Sequence, residues 1–172
     1  MSGAQIGVWM AFLYGVGGLL GSLGGGWLAE KLSNTYATQG WYARICCYSL
    51  LACLPLLPFI FLNSNPYIAL GLLFFMACLM HVNTGPVLAL LQKAGGSKRR
   101  ATAHAISVLV SNLIALPLGP LSIGICSDVL TPVLGSGTLG LAILVLLSLS
   151  WSLAAWFFIQ VARRLDAAVI PG

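Results

Sequence analysis

Apolar positions in this chain run in blocks of about twenty residues, and the polar residues gather between the blocks rather than alternating with them. That is the length a helix needs to cross hydrocarbon. Five spans follow: Ile6 to Leu28, Trp41 to Leu62, Tyr67 to Leu91, Ala101 to Cys126, and Thr138 to Val161. The blocks show no two-residue alternation, and a five-strand sheet would leave unpaired edges in lipid. The pattern predicts an all-α membrane protein, a polytopic bundle of five transmembrane helices over residues 1–172, with its two ends on opposite sides.

Composition narrows the class. Of the 172 residues, 59% are hydrophobic and 6% charged, whereas a soluble domain carries roughly a quarter charged residues. The net charge of +5 acquires meaning only through position. Lys31, Arg44, Lys93, Lys98, Arg99, Arg100, Arg163 and Arg164 fall in or beside alternate connections, namely 29 to 40, 93 to 100 and the tail from Ala162. The Asn63-Ser64-Asn65-Pro66 turn and the loop from Ser127 to Gly137 hold no basic residue. By the positive-inside rule the amino end is outside and the carboxyl end inside. No basic residue precedes the first block, so a cleavable signal peptide is not expected. Spread over three segments without aromatic platforms, the basic residues do not form a nucleic-acid surface; near Gly95-Gly96 they are suited to anionic lipid heads or to holding the loop inside.

Trp9, Trp27, Trp41, Tyr42, Tyr48 and Tyr67 stand near predicted helix ends, where amphipathic rings favour the headgroup zone. The five cysteines, Cys46, Cys47, Cys53, Cys78 and Cys126, lie in or beside apolar blocks, the pattern of small buried hydrophobes rather than of disulfides or a zinc site. Cys46 and Cys47 lie near a basic loop, which leaves S-acylation open there.

The first block holds an unusual run, GVGGLLGSLGGGWLAEKL, with seven glycines between Gly15 and Leu32. Gly15-x-Gly17-x-x-x-Gly21 has a superficial likeness to a dinucleotide loop, but that site needs a preceding strand and an acid on a second strand, and neither is present. At helical spacing, Gly17, Gly21 and Gly25 form one small-residue ladder and Gly18, Ser22 and Gly26 its neighbour, which admits a second helix closely. The ladder serves static packing or, in a protein that changes shape, a sliding contact.

The end of that run, Gly26-Trp27-Leu28-Ala29-Glu30-Lys31, resembles the G-x-L-(A/G)-(D/E)-(R/K) turn of the major facilitator superfamily of secondary transporters. From Lys98 onward, KRRATAHAISVLVSNLIALPLGPLSIGICSD resembles helix eleven of bacterial Spinster-like members of that superfamily. The matching features are the basic start at Arg99 and Arg100, Asn112, Gly119-Pro120-Leu121, Gly124, and Ser127-Asp128. The resemblance implies that the five spans correspond to family helices eight to twelve, a partial carboxyl-terminal half, with the amino-terminal half and helix seven outside this sequence. It further implies a bacterial inner membrane location, a small-molecule substrate, membrane lipid as surroundings, and a missing amino-terminal half as partner. Gly26, Leu28, Glu30 and Lys31 would form the cytoplasmic-turn motif. The acid of that motif contacts a helix start in the opposite half, and Lys31 serves equally as a topology determinant.

Polar groups inside a span are costly and mark candidate functional positions. The resemblance makes the third span a cavity helix, where Met80, His81, Asn83 and Thr84 precede Gly85-Pro86 and offer donors, acceptors and a weakened helix. Helix-to-helix bonding by Asn83 and Thr84 and an interior role for His81 are the alternatives; a proton relay through His81 is the sharper reading. In the fourth span Ser111 and Asn112 are the further candidate substrate contacts. Pro117 and Pro120 each remove a backbone donor there, so a bend is expected, with Gly119 and Gly124 beside it, serving gating or packing. His104 is expected at headgroups or cytosolic water, Asp128 at the far end of the same span, and Asp166 in the tail within reach of Arg163. No nucleophile with a base partner, carboxylate pair or metal-ligand cluster is visible, so neither catalysis, a metal nor a cofactor is expected. The function expected is transport of a small organic solute by alternating access as part of a larger carrier. The rival is a non-transporting helical subunit that stabilises or regulates a partner.

Overall fold

The computed structural model describes residues 3–62, 65–134 and 138–167. Seven α-helices and one π-helical turn follow in order: α1 (Gly3–Tyr36), α2 (Gly40–Cys53), α3 (Leu56–Leu62), α4 (Pro66–His81), α5 (Thr84–Val110), the π turn (Ser111–Ala115), α6 (Leu116–Leu134) and α7 (Thr138–Ala167). No strand occurs among the described residues. Joined across short breaks, these make five helices long and apolar enough to cross a membrane: Gly7–Tyr36, Gly40–Phe61, Tyr67–Gly96, Arg99–Pro132 and Thr138–Ala167. The chain has the architecture of a multi-pass membrane protein. The glycine run is helical throughout, the setting that the small-residue ladders presuppose.

The helices outrun the apolar blocks that predict them. With 34 residues, α1 spans about 51 Å at the helical rise, against roughly 30 Å of hydrocarbon. Residues 29–36 of the expected connection are therefore helix, and the chain turns only at Ala37, whose φ of 52° lies in the left-handed region. Hydropathy reads lipid contact, whereas a helix ends where its backbone bonding is interrupted. The same difference appears at Ser127, where a loop is expected and α6 continues to Leu134.

Breaks inside the spans follow proline. Pro55 separates α2 from α3, and the chain tightens there through Leu54 N–H to Leu51 O and Leu57 N–H to Leu54 O, both 3.3 Å. Asn65 starts α4 by accepting the Tyr67 N–H at 3.1 Å, with Pro66 in the first turn where no intrahelical donor is needed. Val82 and Asn83 form a turn between α4 and α5, just before Gly85-Pro86. Farther along, Gly96 has φ 59° and ψ −179°, a conformation essentially reserved to glycine, and interrupts α5.

Two compact units are distinguished, residues 1–90 with 151–172, and residues 91–150. In the first, α4 packs along α1, and α2 touches α1, α3 and α4. Its buried residues are mostly small: Ala29, Ala43, Cys46, Cys47, Cys53, Ala77, Ala155 and Ala162 accompany Leu13, Leu50 and Leu57. Its exposed residues are large and apolar, among them Phe12, Leu19, Leu23, Trp27, Phe59, Phe75 and Trp156. A water-soluble fold has the opposite distribution; small residues inside and bulky apolar ones outside suit helices that pack by close approach in lipid.

In the second unit, Thr138 at the start of α7 is buried and meets the end of α6. Its hydroxyl lies 3.0 Å from Thr131 Oγ1 and 3.3 Å from Ser127 Oγ. Thr131 in turn donates to Ser127 O at 2.7 Å, so three hydroxyls join the two helices.

Candidate functional site

The buried residues of α1 recur every fourth position: Leu13, Gly17, Gly21, Gly25, Ala29 and Ser33. This is the i, i+4 ridge of a helix, which in lipid supports close crossing when its members are small. The partner is the third span. A Cβ built on Gly17 would contact Ala77 Cβ and Cys78 Sγ at 3.4 Å, while on Gly21 it would run into the Cys78 carbonyl and on Gly25 into the Val82 carbonyl. The neighbouring ladder follows the same partner: a Cβ built on Gly18 would lie 3.3 Å from the His81 ring, and Gly26 meets Gly85. Contact numbers rise together on both helices, so the first and third spans run parallel, as alternate crossings must.

Pro86 explains the chemistry of this contact. It is fully buried, and lacking an N–H it cannot donate to the carbonyl four residues earlier, which belongs to Val82. That carbonyl lies against Gly25, in the space that an added Cβ would occupy. The break in the third span and the glycine ladder of the first thus form one feature.

Polar side chains at the break turn to different neighbours. His81 ends α4 with Nδ1 2.8 Å from Ala77 O, which makes that nitrogen the protonated one in a neutral ring. Its ring meets Tyr14 edge to face at 6.1 Å. Asn83 points toward α2, where its Oδ1 accepts from Ser49 Oγ at 2.5 Å; the buried Ser49 also lies 3.0 Å from Cys46 O. Met80 and Thr84 are exposed. Of the four candidates in the third span, His81 and Asn83 are thus tied to flanking helices, while Met80 and Thr84 present themselves at the surface. Ser49 was invisible as a participant from sequence, since a lone serine in an apolar run has no distinguishing pattern.

The other candidates occupy varied settings. Ser111 and Asn112 begin the π turn, in the second unit, and both are exposed. The Leu116 N–H reaches back to Ser111 O, a five-residue step that widens the helix immediately before Pro117. The π turn stands just before Pro117, and α6 then continues through Pro120. A Cβ on Gly119 or Gly124 would meet nothing within 4 Å. In the segment from Gly26 to Lys31, Lys31 Nζ lies 4.7 Å from the Trp27 ring centroid, Glu30 and Leu28 are exposed, and Gly26 meets the third span as described. His104 and Asp128 are exposed, the latter within α6 rather than at its end.

An ion pair closes one end of the first unit. Asp166 pairs with Arg44 of α2 at 2.5 Å, rather than with Arg163, which its position in the tail also brings within reach. Arg163 lies on the same helix only three residues earlier, but Arg44 approaches from a neighbouring helix with its guanidinium over Trp41 at 5.2 Å. Trp41 stacks on Tyr36 at 5.0 Å. The Asp166 carboxylate lies directly on Gly40, where any side chain would collide with it. The end of α1, the start of α2 and the end of α7 therefore share one end of the unit, and Lys31, Arg44, Arg163 and Arg164 belong to it.

The cysteines at positions 46, 47 and 53 are buried free thiols, and Cys78 and Cys126 are half-buried. Among the described residues no group of three or more His, Cys, Asp or Glu side chains comes together in a form able to hold a metal ion. No protein-family model matches the chain, and neither a curated protein nor a solved structure similar to it was found.

Proposed function

We propose that this chain forms the carboxyl-terminal part of a secondary transporter of the major facilitator type, with its basic end toward the cytoplasm of a bacterial cell. In the complete carrier it would move a small organic solute by alternating access. The observation that carries this reading is the interruption of a long apolar span at Val82 and Asn83. An amide and an imidazole sit there within a membrane-crossing segment, and broken helices with polar groups at the break are where such carriers place their binding sites. The parallel glycine contact supports the same reading: at Gly21, Gly25 and Gly26 the helices meet at backbone distance, which leaves few side chains to unlock when one helix slides on another. Glu30 would face the amino-terminal half.

The Ser49–Asn83 bond favours a second reading, a non-transporting helical subunit, because it engages Asn83 in joining helices. The two readings part in a carrier reconstituted with its amino-terminal half. Asn83→Ala is expected to lower saturable solute uptake at least tenfold at unchanged membrane insertion, and Ser49→Ala, which frees the amide oxygen, to shift apparent solute affinity. Uptake indifferent to both, or no saturable uptake of any solute class by the complete assembly, would leave the subunit reading.

A further inference from the structure

Beside the glycine contact, a small and largely enclosed cavity of about 100 Å³ lies between the first and third spans, and its wall is rich in sulfur. Met10 comes from α1 and Met76 and Met80 from α4, so three of the chain's four methionines face one space. Met76 and Met80 are one helical turn apart on the same face. Met10 and Tyr14 are likewise one turn apart on the helix opposite. The remaining wall is Leu13, Leu73 and Ala77.

A wall of this kind discriminates by chemistry. Thioethers are soft, neutral donors that select copper(I) and its closed-shell analogue silver(I) over hard cations. No carboxylate lines the space to offset a second charge, and the cost of bringing an ion out of water rises steeply with its charge, which disfavours zinc and magnesium. Methionine has three rotatable bonds, so the sulfurs can close on an ion smaller than the cavity without moving either helix. Met80 is 37% exposed, which opens the site at its rim. Tyr14 completes the wall on the α1 side.

We propose that Met10, Met76 and Met80 form a binding site for a soft monovalent metal ion, copper(I). This proposal does not rest on the transport reading: an ion held here bridges the first and third spans whether or not the chain moves a solute.

The test uses the full chain in lipid nanodiscs, carrying ¹³C-methyl methionine and titrated with silver(I) nitrate. The methyl signals of Met10, Met76 and Met80 are expected to shift together and saturate at one equivalent, while that of Met1 stays in place. The variant Met10→Leu/Met76→Leu/Met80→Leu retains every cysteine, so silver bound by thiols is common to both proteins, and the variant should bind one equivalent fewer. Zinc and magnesium should shift none of the signals. Unmoved methyl signals in the native chain, equal shifts at Met1, or equal silver stoichiometry in a folded triple variant would each overturn the proposal. The methyl titration decides the matter even if the triple variant does not fold.

Discussion

The carbonyl oxygen of Val82 occupies the space that a side chain on residue 25 would need. The two helices meet there at backbone distance, so position 25 has room for a glycine alone. Replacing Gly25 by Ala forces the helices apart or the carbonyl to turn, a cost of about 1–3 kcal/mol for overpacking. Gly24, whose added Cβ meets nothing within 4 Å, is the matched control. Thermal unfolding in nanodiscs is expected to show Gly25→Ala markedly less stable than the native chain and Gly24→Ala unchanged or slightly more stable, since alanine is the better helix former.

The Arg44–Asp166 pair joins residues on two helices while both side chains keep partial access, 35% and 24% respectively. Screening by solvent limits such a pair to a coupling of about 1 kcal/mol or less. A double-mutant cycle of Arg44→Ala and Asp166→Ala should return that coupling, and it should shrink as salt is raised. The structural consequence is local: amide exchange is expected to quicken in the last turns of α7 in either single variant, and Arg163→Ala should leave it unaltered.

Gly96 has a backbone conformation that a side chain resists. Gly96→Ala is expected to cost about 1–3 kcal/mol, read as a lower unfolding midpoint. The substitution tests backbone conformation alone, because a Cβ there meets no neighbour within 4 Å. Gly95→Ala makes the useful comparison: its Cβ would lie 3.1 Å from that of Ala103, so its smaller penalty should vanish in Ala103→Gly whereas that of Gly96→Ala should not.

Much of the architecture is legible in the linear pattern. Five apolar blocks become five candidate membrane spans because hydrocarbon sets a length that the composition must meet. The four-residue glycine period marks a face for close approach, and the weakened segment before Gly85-Pro86 is where the third span breaks. Helix ends are less legible: α1 continues to Tyr36 past its last apolar block, since polar residues end lipid contact without ending hydrogen bonding.

Pairing is another matter. Nothing local to Asp166 distinguishes Arg44, 122 positions away, from Arg163 nearby. Helical geometry disposes the near residue along its own helix, and packing brings the distant one across. Ser49 gains significance only because α2 lies beside the break that exposes Asn83. The same holds for the methionines: Met76 and Met80 share a face by periodicity, but Met10 joins them only through the parallel register of the first and third spans.

The sequence by itself determined that the chain is helical, that it has five segments suited to a membrane, and where glycine and proline would loosen or narrow them. These properties depend on hydrophobicity and backbone chemistry, which are local. Tertiary structure alone decided which helix fills the glycine face, which cation meets Asp166, and which sulfurs share a cavity. In a chain whose spans are almost uniformly apolar, hydrophobicity cannot choose among partners, and the choice passes to the close fit of small residues and the few polar groups that must find one another.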